Sequence, residues 1–338
     1  MRRNLLAPSG VVHRLEIESE ALSGNLLGDS RKRELPVYLP AEARSGDRLP
    51  LLVDLVGFTG SGQSHVNWKN FGENVPERLD RLIGEGRMPP SAVAFPDCFS
   101  RLGGNQYINS AAIGRYEDYL LQEVVPLVEN RFEVGGAGRR GVFGKSSGGY
   151  GAIVHAMRHA DFWSAAACHS GDMGFELCYL ADLPKVLTEL KLNHGGSIER
   201  FIHHFEAALK PSEKDMTVLN LLAMAASYDP DPSQFLGIRL PAELETAELI
   251  AERWARWQAH DPVNMAEAAA PALKSLKALY IDCGDRDQFH LQFGARRLHL
   301  ALMRHGVAHR YEEFPDDHTS VDYRMDESLP FLVRALTS

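Results

Sequence analysis

Apolar and polar positions along the first half of the chain switch repeatedly between strand-like and helix-like patterns. Segments 11–17 and 35–39 read as early strands, the second ending at Pro40. Leu51-Leu52-Val53-Asp54-Leu55-Val56 is a mostly apolar run between Pro50 and Gly57, the pattern of a strand buried on both faces. Residues 75–83 carry helical spacing and stop at Gly84, and 92–95 is a short strand ended by Pro96-Asp97. Residues 116–132 place Tyr119, Leu120, Val124, Leu127 and Val128 on one face, an amphipathic helix that Pro126 is expected to kink. A brief strand at 140–143, a helix of small residues at 149–159 and a strand at 163–168 follow. This βαβα order predicts an α/β fold, a mostly parallel sheet with helices on both faces.

Between 171 and 270 strand signals vanish. Helical stretches at 198–209, 218–226 and 242–259 are separated by Pro211 and by Asp229-Pro230-Asp231-Pro232. The alternation then resumes with a strand at 279–281, a helix at 291–304, a strand at 309–314 and a terminal helix at 322–336. The expected organisation is a core of residues 1–170 and 271–338, interrupted by a helical, lid-like insertion at 171–270.

Composition narrows the function classes. Of the 338 residues, 44% are apolar and 24% charged, enough to bury a sizeable core and to exclude a largely disordered chain. The formal charge of −9 argues against a nucleic-acid or anionic-membrane surface. No run of 18 apolar residues exists to span a membrane. The start, Met1-Arg2-Arg3-Asn4-Leu5-Leu6-Ala7-Pro8, is basic but lacks the apolar stretch of a signal peptide. Cys98, Cys168, Cys178 and Cys283 lie far apart with no C-x-x-C pair, which suits free thiols in a reducing compartment, by default the cytoplasm.

The sharpest chemical signal is Gly144-Lys145-Ser146-Ser147-Gly148-Gly149, directly after a strand and before a helix. This is G-x-S-x-G in the context it needs: a serine on a tight turn, with glycines removing side chains that would collide there. Ser146 is the nucleophile candidate. Ser147 is not, because the residue two before it is Lys145 rather than glycine, but its backbone N–H is an oxyanion donor candidate. The same residues end a phosphate-binding G-x-x-x-x-G-K-[ST] loop only if position 139 is glycine; it is Arg139, and Val142-Phe143 would fall inside that loop.

A serine nucleophile needs a base and an orienting acid, in the order Ser, Asp, His along a doubly wound hydrolase. After the strand at 279–281 come Asp282, Asp285 and Asp287; Asp287 has the loop position, with a helix cap as its alternative role. His318 follows the next strand in Pro315-Asp316-Asp317-His318 and is the candidate base, whereas His203, His204, His299 and His309 fall on helices or in strands. The second oxyanion donor is expected from Gly57-Phe58-Thr59-Gly60, as the Phe58 N–H.

At these positions the chain resembles the Putative esterase family of α/β-hydrolases, which includes S-formylglutathione hydrolases (esterase D), enterochelin esterases, feruloyl esterases and mycolyltransferases. The matching pieces are Val37-Tyr38-Leu39-Pro40, Gly57-Phe58-Thr59, Phe95-Pro96-Asp97, Tyr116-Glu117-Asp118-Tyr119-Leu120, Gly144 through Ala152, Gly284 through Phe289, and Asp317-His318. The resemblance implies an α/β-hydrolase fold, a Ser146–His318–Asp287 triad, a small-molecule ester substrate, and neither metal nor organic cofactor. The elbow looks like the family's G-x-S-M-G-G with Ser147 in place of methionine, and two departures stand out: Val56 replaces a histidine often found before the oxyanion glycine, and the helical insertion is longer than a simple family member needs.

Substrate contacts are less defined. Trp254 and Trp257, three apart on one expected helix, are candidates for an aromatic wall, with packing of the insertion as the alternative. Trp68, after the oxyanion loop, and His169, at a strand end, are further candidates. Met216 and Met224 read as core filler. The chain is thus expected to be a serine carboxylesterase. An acyltransferase using the same triad and an idle hydrolase-fold binding protein are the competing readings. Dimerisation through the insertion stays open.

Overall fold

A computed structural model describes residues 8–41 and 48–338. The N-terminal residues 1–7, on which most of the signal-peptide reading rests, lie outside the described residues. The eight strands of the main sheet are β1 (Val11–Glu18), β2 (Lys32–Leu39), β3 (Leu51–Leu55), β4 (Ala92–Ala94), β5 (Arg140–Lys145), β6 (Ala165–His169), β7 (Ala278–Gly284) and β8 (Arg310–Phe314). Their spatial order is β1-β2-β4-β3-β5-β6-β7-β8. β2 pairs antiparallel with β1 and β4, and every pair from β4 to β8 is parallel.

The side-chain period of two decides what each strand buries. Leu51, Val53 and Leu55 of β3 enter the larger apolar cluster, and Leu52 enters a smaller one on the other face. Asp54 is equally buried, and its carboxylate meets His65 Nδ1 at 2.6 Å. The smaller cluster is closed by helix α1 (Val75–Gly84), through Val75, Leu79 and Leu82, and by the C-terminal helix, Met325–Thr337, through Leu329 and Val333.

The helical stretch at 116–132 answers Pro126 without a simple kink. Its middle, Tyr119–Val124, winds as a π-helix, and the Val125 N–H bonds Leu120 O before α2 (Val125–Phe132) continues. Proline lacks the N–H that an unbroken α-ladder needs there, and the wider turn absorbs the loss. Helix α3 (Ser147–Arg158) follows β5 directly.

Between β6 and β7 the described residues form only helical elements. The main ones are α4 (Leu183–His194), α5 (Ile198–Ala207), α6 (Glu213–Tyr228), α7 (Ala251–Gln258) and α8 (Pro262–Leu273). The expected helix at 242–259 is shorter: Ala242 bridges Leu249, Ala247 takes φ 57°, and α7 begins only at Ala251. Helix α8 crosses the expected end of the insertion at 270. Its Ala266, Ala270 and Leu273 share the larger cluster with Ala152 and Ile153 of α3, so it behaves as a layer of the core. Helix α9 (Leu291–Arg304) joins β7 to β8, and α10 (Met325–Thr337) ends the chain. Among the described residues no helix is long and apolar enough to cross a membrane.

Candidate active site

The turn between β5 and α3 holds Ser146 at φ 58° and ψ −127°, a conformation that non-glycine residues rarely adopt and that costs on the order of 1–3 kcal/mol. The Ser146 N–H donates to His169 O at 3.0 Å, and its carbonyl accepts the Tyr150 N–H at 2.9 Å to begin the helix. A Cβ on either Gly144 or Gly148 would collide with Leu55 O, so the start of α3 presses directly on β3. The two glycines of the motif are therefore required by packing, and the serine stands at the C-terminal edge of the sheet.

The loop after β3 comes up against that serine. Gly60 N–H bonds Gly57 O at 3.0 Å, closing a tight turn, and a Cβ on Gly57 would lie 3.3 Å from Ser146 Cβ. Val56 O accepts the Tyr107 hydroxyl at 2.5 Å, which ties down the loop's first residue. The Phe58 ring rests where a side chain at Gly103 would have to go. Neither the Phe58 N–H nor the Ser147 N–H has an acceptor among the described residues, the second being an orphan donor of a helix start.

Asp287 and His318 meet on the other side. His318 Nδ1 lies 2.7 Å from Asp287 Oδ2, both residues being buried. Asp287 Oδ1 accepts the Phe289 N–H at 2.9 Å, and the Gln288 side chain accepts the His318 N–H at 3.0 Å. Backbone bonds from Asp285 to Phe314 and from Arg286 to Asp316 zip the two loops together beyond the strands that carry them. A carboxylate only accepts, so Nδ1 carries the proton and Nε2 presents a lone pair. The Phe289 ring meets the imidazole edge-on at 4.9 Å.

The other two aspartates after β7 have different places. Asp282 stays within the strand and holds His169 Nδ1 at 2.7 Å and Arg324 Nε at 2.9 Å, while Asp285 is on the surface beside Arg286. His169 gives its second ring nitrogen to Ser328 at 2.8 Å, so it braces the sheet against α10 and does not line the cavity. Trp257 is fully buried against Tyr179 and Tyr228, with Trp254 beside it, and neither tryptophan lines the cavity. Trp68 is exposed and also lies outside the lining. Met216, expected in the core, does line it.

Sequence reasoning missed the polar network behind Ser146. The Ser147 hydroxyl donates to Asp172 Oδ2 at 3.2 Å and accepts from Gln106 Nε2 at 2.9 Å, and Tyr179 OH donates to the same Asp172 oxygen at 3.0 Å. Gln106 Nε2 also donates to that oxygen at 3.2 Å; burial raises the Asp172 pKa, and these three donors and His318 oppose the rise. The signals for it in the sequence are the polar residue in methionine's place at 147 and the run His169-Ser170-Gly171-Asp172 at a strand end near the site.

Ser146, Phe58, Ser147 and His318 all line one cavity of about 560 Å³, a size suited to a small organic ligand. Among the described residues no hydrogen bond joins the Ser146 hydroxyl to His318; such bonds are often long without substrate and tighten around it. Among the described residues no group of three or more His, Cys, Asp or Glu side chains is arranged to hold a metal ion. The four cysteines are unpaired and buried.

Strand order, the serine turn and the helices on both faces define the class, an α/β-hydrolase. Three solved structures are similar over nearly their whole lengths. A ferulic acid esterase is 20% identical, with 97% of this chain and 99% of that one covered at a TM-score of 0.61. FphF, a fluorophosphonate-binding serine hydrolase of Staphylococcus aureus, is 19% identical, covering 96% and 99% at 0.60. An S-formylglutathione hydrolase of Agrobacterium tumefaciens is 16% identical, covering 98% and 97% at 0.58. The family model described as Putative esterase matches residues 30–326, and the chain belongs to this family.

Proposed function

We propose that this protein hydrolyses a carboxylic ester through an acyl-enzyme on Ser146. The observation that supports this most is a strained serine opening into the same cavity as an Asp287-held imidazole. Ser146 Oγ attacks the ester carbonyl carbon while His318 Nε2 takes its proton. The Phe58 and Ser147 N–H groups donate to the oxyanion that forms. As the carbon–oxygen bond to the alcohol breaks, His318 returns the proton to the leaving oxygen. Water, deprotonated by His318, then attacks the acyl carbon, and the acid departs as the Ser146 hydroxyl is restored.

Asp172, Tyr179, Glu213 and Met216 come from the segment between β6 and β7, so this segment roofs the cavity and shapes what enters, the role of a lid. Unpaired, buried thiols support a reducing compartment, the cytoplasm.

A fluorophosphonate probe tests the reading. The expected result is one adduct on the Ser146 peptide by mass spectrometry, absent in Ser146→Ala. Folded protein that takes up no probe overturns it. Adding an alcohol acceptor during turnover separates hydrolysis from acyl transfer by the ratio of acid to new ester.

A further inference from the structure

The cavity is electrically polarised across the sheet edge. On one side, above the face covered by α1 and α10, stand His65, Lys145 and Asp322; on the insertion side stand Asp172, Asp182 and Glu213. Three of these six groups are already matched. His65 Nδ1 is 2.6 Å from Asp54, Lys69 Nζ is 2.7 Å from Asp322, and Lys185 Nζ is 2.7 Å from Asp182.

Lys145 is the one cation of the three-residue group that is unmatched among the described residues. It precedes Ser146 in the chain, is half-buried, lines the cavity, and has no hydrogen-bond or ion-pair partner among the described residues. The acids that act on it at longer range are Asp322, Asp287 and Asp317. Each is occupied elsewhere: Asp322 by Lys69, Asp287 by His318, and Asp317 by the Thr319 N–H at 2.6 Å. A partly desolvated ammonium without a counter-ion is costly to hold, and a lysine kept only for packing would gain by pairing. Burial accordingly pushes its pKa down.

We infer that Lys145 is a specificity-determining residue that binds a carboxylate carried by the ester substrate, beside the Ser146 hydroxyl. The inference deepens the esterase reading above and rests on it. One unmatched ammonium calls for one negative charge, which fits a carboxylate better than a phosphate dianion. The acidic opposite side sets the direction: the anion is held at Lys145 and repelled from Asp172, so the uncharged part of the substrate lies toward the insertion. The charge-assisted bond to Lys145 supplies discrimination between charged and neutral esters.

Two matched pairs of esters test it, because the carboxylate can sit on either side of the scissile bond. Phenyl acetate against 4-acetoxybenzoate places the charge on the alcohol; methyl hexanoate against monomethyl adipate places it on the acyl chain. The quantity read is the ratio of kcat/KM for the charged ester to that for its neutral partner. In one pair the ratio is expected to fall at least about tenfold in Lys145→Met and to be largely retained in Lys145→Arg. Ratios unchanged in both pairs overturn the inference.

Calorimetric binding of the same esters to Ser146→Ala protein, with and without Lys145→Met, keeps the test independent of turnover. Tighter binding of a charged ester that vanishes with Lys145→Met supports the inference, and equal binding of charged and neutral esters overturns it. If wild-type protein cleaves none of the four esters and takes up no fluorophosphonate, the esterase reading fails, and the binding comparison still decides the role of Lys145.

Discussion

Asp287 Oδ2 and His318 Nδ1 stand 2.7 Å apart across 31 positions of sequence, on the loops that leave two neighbouring parallel strands. Replacing Asp287 by Asn keeps the shape but turns a pure acceptor into a group that also donates, favouring the tautomer with Nδ1 bare. In Asp287→Asn, kcat is expected to fall by roughly 10⁴ with little change in unfolding midpoint. A loss under tenfold in steady-state assays means that another group orients the imidazole.

Asp282 supplies the contrast. It is buried, and it holds His169, Arg324 and Tyr280. Asp282→Asn weakens the hold on His169 and leaves the half-buried Arg324 with Glu312 as its remaining counter-charge, for an expected loss of about 2 kcal/mol in denaturant unfolding. It touches neither Ser146 nor His318, so kcat of the folded fraction is expected to stay within about threefold. A large kcat loss at intact stability would reverse the assignment of the two aspartates.

Ser147 separates side chain from backbone. In Ser147→Ala the oxyanion N–H remains, while Asp172 loses one of three donors. Stability is expected to fall by about 1 kcal/mol, with activity within a few-fold of wild type. A hundredfold loss of kcat would place the hydroxyl itself in the chemistry.

Gly148→Ala tests the packing under the serine turn. The new methyl would strike Leu55 O, a backbone atom of a central strand that has no room to yield. The variant is expected to be destabilised by about 3 kcal/mol or more, seen as a lowered denaturation midpoint or as insoluble expression. Near-wild-type stability would show that α3 can slide away from β3.

His155 gives the pH dependence. It belongs to α3 and is fully buried, with Nε2 on Tyr107 O at 2.8 Å and Nδ1 accepting the Trp163 N–H at 3.2 Å. Burial lowers its pKa to about 4, and His260 is lowered likewise. The unfolded chain takes up these protons near pH 6.5 and the folded one only near 4, so acid favours unfolding between the two values. Stability is expected to drop by up to about 3 kcal/mol for His155 across that window. In His155→Gln, less stable at neutral pH, the slope of unfolding free energy against pH is expected to be shallower; an unchanged slope would remove His155 as a source.

The sequence made some of this architecture plain and hid the rest for physical reasons. β3 is buried on both faces, so its apolar run was unmistakable, and the serine turn needs its glycines at fixed spacing. Asp287 and His318 sit in short loops after strands, where local order suffices to find them. The helices at 183–194 and 262–273 were not singled out, because Pro184 and Pro262 occupy first turns, where a missing N–H costs nothing, yet read as breakers. The direction of Trp257 depends on how α7 rolls against Tyr179 and Tyr228, which is set by packing distant in sequence. The same holds for Lys145, whose lack of a partner is a statement about three carboxylates in space.

β6 and β7 are immediate neighbours, paired from Ala165 with Ala278 to His169 with Asp282. The long excursion between them therefore departs and returns at almost the same point of the sheet. The segment between them thus adds a far wall to the cavity, with Asp172, Tyr179, Glu213 and Met216, while both strands keep their rungs in the ladder.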